Sequence, residues 1–137
     1  GFKNAIAGAD KAIIVTTPEV SALRDADRII GLLEAEGKNK PQLVINRIRP
    51  HMVKEGDMMD SDDIIESLSI KLLGIIPEDE YIVISTNRGE PAITNNLSLA
   101  STAYRNIIKR LMGEDVPLMK IEINQGFFGK IKKLLKI

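Results

Sequence analysis

Cysteine is absent from these 137 residues, which excludes a disulfide framework and thiolate chemistry and suits a reducing cytosol. Net charge is absent as well. The 19 Lys plus Arg balance 19 Asp plus Glu, so there is no global basic field to hold a nucleic acid backbone, and no nucleic-acid partner is expected. No apolar run reaches the roughly 18 residues needed to cross a bilayer, and no signal peptide opens the chain. A GxxxxGKS/T phosphate loop is missing too: Gly37-Lys38 is followed by Asn39 and lacks the preceding glycine and strand. The single His51 stands in a loop without metal-ligand spacing, and no Ser/His/Asp arrangement is supported. What is present is a 44% hydrophobic share, ordinary for a globular chain and enough for one modest core. The chain opens on Gly1 in what reads as the middle of a domain, and a fragment is expected.

Lys11 to Thr17 (KAIIVTT) is a short, β-branched run, the pattern of a strand buried on both faces of a parallel sheet. Thr17 then serves as N-cap with Pro18 at the first helical position, and Val20, Leu23, Ala26, Ile30 and Leu33 form one apolar stripe ending near Gly37. Gln42 to Asn46 is a second strand, so a helix of crossover length joins two strands. Arg47 to Ser61 reads as a loop, Asp60 or Ser61 caps a short helix through Leu68, and Lys71 to Ile76 is a third strand stopped by Pro77. Tyr81 to Ser85 fits either a strand or a helical turn. Ala100, Ala103, Tyr104, Ile107, Ile108 and Leu111 mark a last domain helix ending at Gly113, and Gly31 in the first long helix is read as allowing close packing on the sheet. The pattern predicts an α/β domain over 1–112, a tether over 113–125 and a terminal helix over 126–137.

That terminal helix is amphipathic. At 100° per residue Phe127, Phe128, Ile131, Leu134 and Leu135 share one arc, Lys132, Lys133 and Lys136 lie opposite, and Lys130 sits at the edge. Four lysines at about 1 kcal/mol each on an anionic leaflet, plus the inserted apolar face, give weak and reversible binding to anionic membrane lipid. Two linked copies would bind far more tightly, through effective concentration. A peripheral place on the inner face of the cell membrane follows. The alternative is a helix docked on its own domain.

In open parallel sheets ligands lie beyond the carboxyl ends of the strands. Those ends carry Thr16-Thr17-Pro18-Glu19, Asn46-Arg47 and Pro77-Glu78-Asp79. The Asn46 amide can offer one donor and one acceptor to the edge of an adenine, the Arg47 guanidinium can stack on the base, and the backbone at Pro77 can close the other side. Read as a bare residue, an asparagine after a strand is also an ordinary turn former.

Five strings in order, TTPEVSALRDADRIIG at Thr16 to Gly31, VINRIRP at Val44 to Pro50, GIIPEDE at Gly74 to Glu80, NRGEP at Asn87 to Pro91 and the tail FFGKIKKLLK, closely resemble the C-terminal half of the MinD/ParA family of deviant Walker A P-loop ATPases, its MinD branch in particular. The resemblance implies the later half of a P-loop NTPase-type, Rossmann-like, mostly parallel sheet flanked by helices. It further implies ATP with Mg2+, an ATP-dependent homodimer on the membrane, septum placement in cell division, a MinC-type inhibitor and a MinE-type topological factor. By the matching motifs it assigns a nucleotide edge to Asn46, Arg47, Pro77 and Asp79. It likewise assigns a partner or dimer surface to Glu19, Ser21, Arg24, Asp25 and Asp27, with Met58, Met59, Asn87 and Gly89. The P-loop and the metal ligands fall outside this segment, so no catalytic residue is carried over and the segment alone is not expected to hydrolyse ATP. Without the P-loop half, a sheet edge and one helical face should stand uncovered. A partition or flagellar-placement ATPase of the same fold and a non-enzymatic membrane adaptor are the rival readings.

Overall fold

The computed structural model describes residues Gly1 to Met119; the predicted membrane helix and residues 120–125 of the predicted tether lie outside the described residues. Three parallel strands, β1 (Ile13–Thr16), β2 (Gln42–Ile48) and β3 (Lys71–Pro77), stand in the order β1-β2-β3. Helix α1 (Phe2–Ile6) precedes them, α2 (Val20–Ala35) joins β1 to β2, and α3 (Pro50–Glu55) with α4 (Ser61–Leu68) joins β2 to β3. After β3 come α5 (Glu80–Arg88), a 3-10 turn at Ala92–Thr94 and α6 (Leu99–Leu111). The predicted βαβαβ order with a closing helix is therefore the observed one.

Two cores lie on opposite faces of the sheet. On the first, Ile14, Leu43 and Ile45 meet Leu23, Ala26, Ile30 and Leu33 of α2 and Ile64 and Leu68 of α4. On the second, Val44, Leu73 and Ile76 meet Ala100, Ala103 and Ile107 of α6. β1 contributes only to the first, and this corrects the expectation that both its faces are buried: Ile13 and Val15 are 45% and 61% exposed. The cause is the placement of α6, which packs on β3, so that among the described residues no helix covers the second face of β1.

Other departures have local causes. α2 starts at Val20 with extended Glu19 as N-cap, two residues later than Thr17 and Pro18 suggested. Part of the predicted loop is α3, with Pro50 in its first turn and left-handed Gly56 as C-cap; it buries no residue, so it had no apolar period to betray it. The ambiguous Tyr81 to Ser85 is helical, inside α5. Residues 114–119 carry neither helix nor strand. They are nonetheless held to the domain, because the Arg110 guanidinium donates to the carbonyls of Leu73 (2.8 Å), Val116 (2.9 Å) and Pro117 (2.9 Å), and Met119 packs against the second core.

One carboxylate orders the two helices that follow β3. Asp79 is the N-cap of α5 and accepts from the Tyr81 amide at 2.9 Å; its other oxygen accepts from the Ser98 hydroxyl and from the Ala100 amide at 3.1 Å in the first turn of α6. It thus satisfies donors that each helix start leaves without an intrahelical partner, and it faces the positive ends of two macrodipoles. Burial pushes its pKa up, but the bonds from Ser98, Tyr81 and Ala100 outweigh burial, and the net shift is downward.

Gly74 on β3 is the second requirement for seating α6. A Cβ there would stand 2.3 Å from Cγ1 and 2.7 Å from Cδ1 of Ile107, a buried and β-branched side chain with little freedom to yield. Gly31 has no such need. It is exposed on α2 and a Cβ would meet nothing within 4 Å, which corrects its reading as a packing glycine.

Three variants have expected outcomes in denaturant titrations of the purified chain. Gly74→Ala should lose about 1–3 kcal/mol through overpacking, whereas Gly31→Ala should gain about 0.5–1 kcal/mol through helix propensity; a loss at Gly31 would show that α2 packs differently. Asp79→Asn retains one acceptor for three donors and should lose about 1–2 kcal/mol near pH 7. Because the folded pKa of Asp79 is depressed, its contribution is complete above the ordinary carboxylate pKa of about 3.9 and disappears as pH falls through the lower folded value. The two stability curves should therefore converge in acid, and a gap that persisted there would count against the double cap.

Candidate functional site

At the carboxyl end of the central strand the ladder slips. Ile45 pairs with Ile75 and Ile48 with Pro77, so three steps on β2 match two on β3, and Asn46-Arg47 bulges out between them. Arg47 has φ +59°. The left-handed region costs a side-chain-bearing residue about 1–2 kcal/mol, and strain of this kind concentrates at functional sites. The Glu78 amide closes the end of the ladder on the Ile48 carbonyl at 2.9 Å.

Three charged side chains meet beyond the bulge. Arg49 grips Glu78 in a bidentate pair, Nη2 to Oε1 at 3.1 Å and Nε to Oε2, and Arg47 Nη2 reaches the same Oε1 at 3.3 Å. The Arg49 hydrogen bond holds the Glu78 pKa below its ordinary value; desolvation opposes it, and Arg47 adds to it. The side chains of Arg47, Arg49 and Glu78 are 63%, 42% and 38% exposed. Pairs this open contribute about 0–1 kcal/mol each to stability, so their effect is to fix geometry. Arg49 is itself backed by sulfur: its amide donates to Met58 Sδ at 3.4 Å, and its Nη1 lies 3.7 Å from Met52 Sδ.

Asn46 and Asp25 line a groove of about 470 Å³ along β1 and α2, with Thr16, Thr17 and Ile29. Arg47 instead turns toward Glu78, Pro77 is buried as the last residue of β3, and both oxygens of Asp79 are engaged by α5 and α6. The assigned surface residues Glu19, Ser21, Arg24, Asp25, Asp27, Asn87 and Gly89 are all exposed. Glu19, Met58 and Met59 come together around a second groove of about 540 Å³ between the start of α2 and the segment around α3; Asn87 and Gly89 line neither groove. Met58 and Met59 are half-buried rather than freely displayed, and Met59 packs on the first core. Among the described residues no group of three or more His, Asp or Glu is placed to hold a metal ion.

Glu78, which the sequence placed at a strand end without a role, and Arg49 and Ser98, which it did not single out, take part in the strand-end contacts. The alternation Arg47-x-Arg49 opposite Pro77-Glu78-Asp79 on the next parallel strand was the available signal for the first two. Ser98 is 19 residues from Asp79 in sequence, and no spacing rule connects them.

No protein-family profile matches the chain. Septum site-determining protein MinD of Bacillus subtilis is 54% identical over 139 residues, which cover 100% of this chain and 52% of that protein. Among solved structures, the MinC:MinD cell division protein complex of Aquifex aeolicus matches with a TM-score of 0.85 at 48% identity, over 88% of this chain and 50% of that one. The cell division ATPase MinD of Pyrococcus furiosus matches at a TM-score of 0.67 and 25% identity, over 76% of this chain and 43% of that one. The chain spans about half the length of the relatives it matches, and over its whole length it is a homologue of septum site-determining protein MinD.

Proposed function

We propose that this chain is the C-terminal half of a membrane-associated ATPase that helps to place the bacterial division septum, and that the half described here supplies the base-recognition edge of its nucleotide site. The bulge at Asn46-Arg47 carries the reading. It sets a carboxamide and a guanidinium at the carboxyl end of the central parallel strand, where open α/β sheets take their ligands. By its chemistry the Asn46 amide matches the hydrogen-bonding edge of an adenine and the planar Arg47 head suits its face, although Asn46 lines the groove along β1 and α2 while Arg47 turns toward Glu78. ATP with Mg2+ would supply the phosphoryl group to be hydrolysed, while the residues of this chain bind and orient the base.

The partner named in the Aquifex complex supports a MinC-type inhibitor as a partner, and the exposed charged face of α2 is the surface this reading assigns to it. The segregated faces of 126–137 support reversible attachment to anionic lipid, strengthened when ATP joins two copies. Among the described residues β1 pairs on one side only, and its other edge is where the remaining strands of the sheet would add.

Two measurements on the full-length protein check these roles. Asn46→Ala should weaken ATP binding by about 1–3 kcal/mol; unaltered affinity would leave Asn46 a turn residue. Phe128→Glu or Leu134→Glu should abolish co-sedimentation with anionic vesicles without shifting the thermal melt, and retained sedimentation would remove the lipid contact from the account.

A further inference from the structure

Glu78 stands between two arginines that differ in how they are held. The Arg49 guanidinium is held by its bidentate grip on Glu78 and lies against the Met52 sulfur, while the Arg49 backbone amide donates to Met58 Sδ. Arg47 sits on the strained bulge, 63% exposed, and among the described residues its side chain makes a single hydrogen bond, to Glu78 Oε1 at 3.3 Å. A long, exposed guanidinium left to itself samples many rotamers, and ordering it on ligand binding carries an entropic cost. A carboxylate anchored on one side by a fork-shaped pair can remove part of that cost in advance.

We propose that Glu78 is a positioning residue for the nucleotide base. Anchored by Arg49, it holds the Arg47 guanidinium at the carboxyl ends of β2 and β3 so that the planar head is presented to the base before the base arrives. The inference rests on the base-recognition reading above and adds a residue that reading does not contain. It also has a consequence of opposite sign to plain electrostatics. Glu78 carries a negative charge beside the path of an anionic ligand, so if charge were its only effect, removing it would tighten ATP binding. If it positions Arg47, removing it loosens ATP binding and spares ligands that have no base.

The test uses the full-length protein and two probes, ATP and inorganic tripolyphosphate, each with Mg2+. Glu78→Ala should weaken ATP about threefold to tenfold and leave tripolyphosphate within twofold. Glu78→Gln, which keeps the length and one acceptor, should recover part of the loss. ATP binding equal to or tighter than wild type in Glu78→Ala overturns the proposal, as does an equal loss of both probes. Asn46→Ala and Arg47→Ala, measured in parallel, separate the two levels. If they weaken ATP and Glu78→Ala does not, the positioning role alone falls; if all three leave ATP unchanged, the strand-end site falls with it. Should Glu78→Ala not fold, the same comparison is read on Glu78→Gln, where an unchanged ATP affinity at low salt is the overturning result.

Discussion

The N-termini of α5 and α6 converge on the carboxylate of Asp79, and the second face of the sheet is organised from that point. Two helix starts, each with backbone donors lacking an intrahelical acceptor, are drawn to one anion immediately after β3. Once α6 is anchored there, the missing Cβ of Gly74 lets it descend onto β3 far enough for Ile107, Ala103 and Ala100 to close over Val44, Leu73 and Ile76. Arg110, near the other end of the same helix, then takes the Leu73 carbonyl at a place where β3 carries an extra residue relative to β2, together with two carbonyls of the chain leaving the domain. The cap, the glycine contact and the arginine clasp form a chain of dependence along one helix.

Consecutive acidic residues after β3 have opposite duties. Extended backbone sends neighbouring side chains to opposite sides, so Asp79 faces the helices while Glu78 faces the arginines of the β2 end. The local stabilisation comes mainly from the half-buried member, whose bonds complete two helix starts. The exposed member adds little stability and much geometry, because its bidentate partner restricts where its second partner can lie. The strained Arg47 stands between buried Ile45 and Ile48 and opposite Ile76 of the second core, so packing on either side holds the bulge in place.

The elements with many buried residues were the legible ones. α2 and α6 each present an apolar stripe over three or more turns, β2 and β3 are nearly continuous apolar runs, and these were read from periodicity and punctuation within a residue or two. α1 and α3 have no fully buried residue and α5 has only Ser85, with Phe2, Ile6 and Ile82 partly buried at the core margins, so apolar periodicity had little to report there. The half-naked state of β1 was illegible for a different reason. KAIIVTT is the sequence of a strand meant to be covered, and exposure of Ile13 and Val15 depends on what else is present to cover them. Asn46 and Arg47 were singled out, and Glu78 was placed at a strand end, because the ends of parallel strands are the places to look, whereas the pairing of Arg49 with Glu78 requires knowing that β2 and β3 are neighbours in register.

The electrostatics of the strand ends also limit what chemistry this half can perform. A general base at neutral pH works best with a pKa near that pH and a free lone pair aimed at the proton it removes. Glu78 and Asp79 have the opposite character: hydrogen bonds from Arg49 in one case, and from Ser98, Tyr81 and Ala100 against the effect of burial in the other, hold both pKa values down. Their oxygens are already accepting from side chains and amides of the same chain. Ionised, engaged carboxylates are poor proton acceptors and good fixtures. Under the proposed function the strand ends would offer a base an amide and a guanidinium, and neither carboxylate would serve as the group that takes a proton from water.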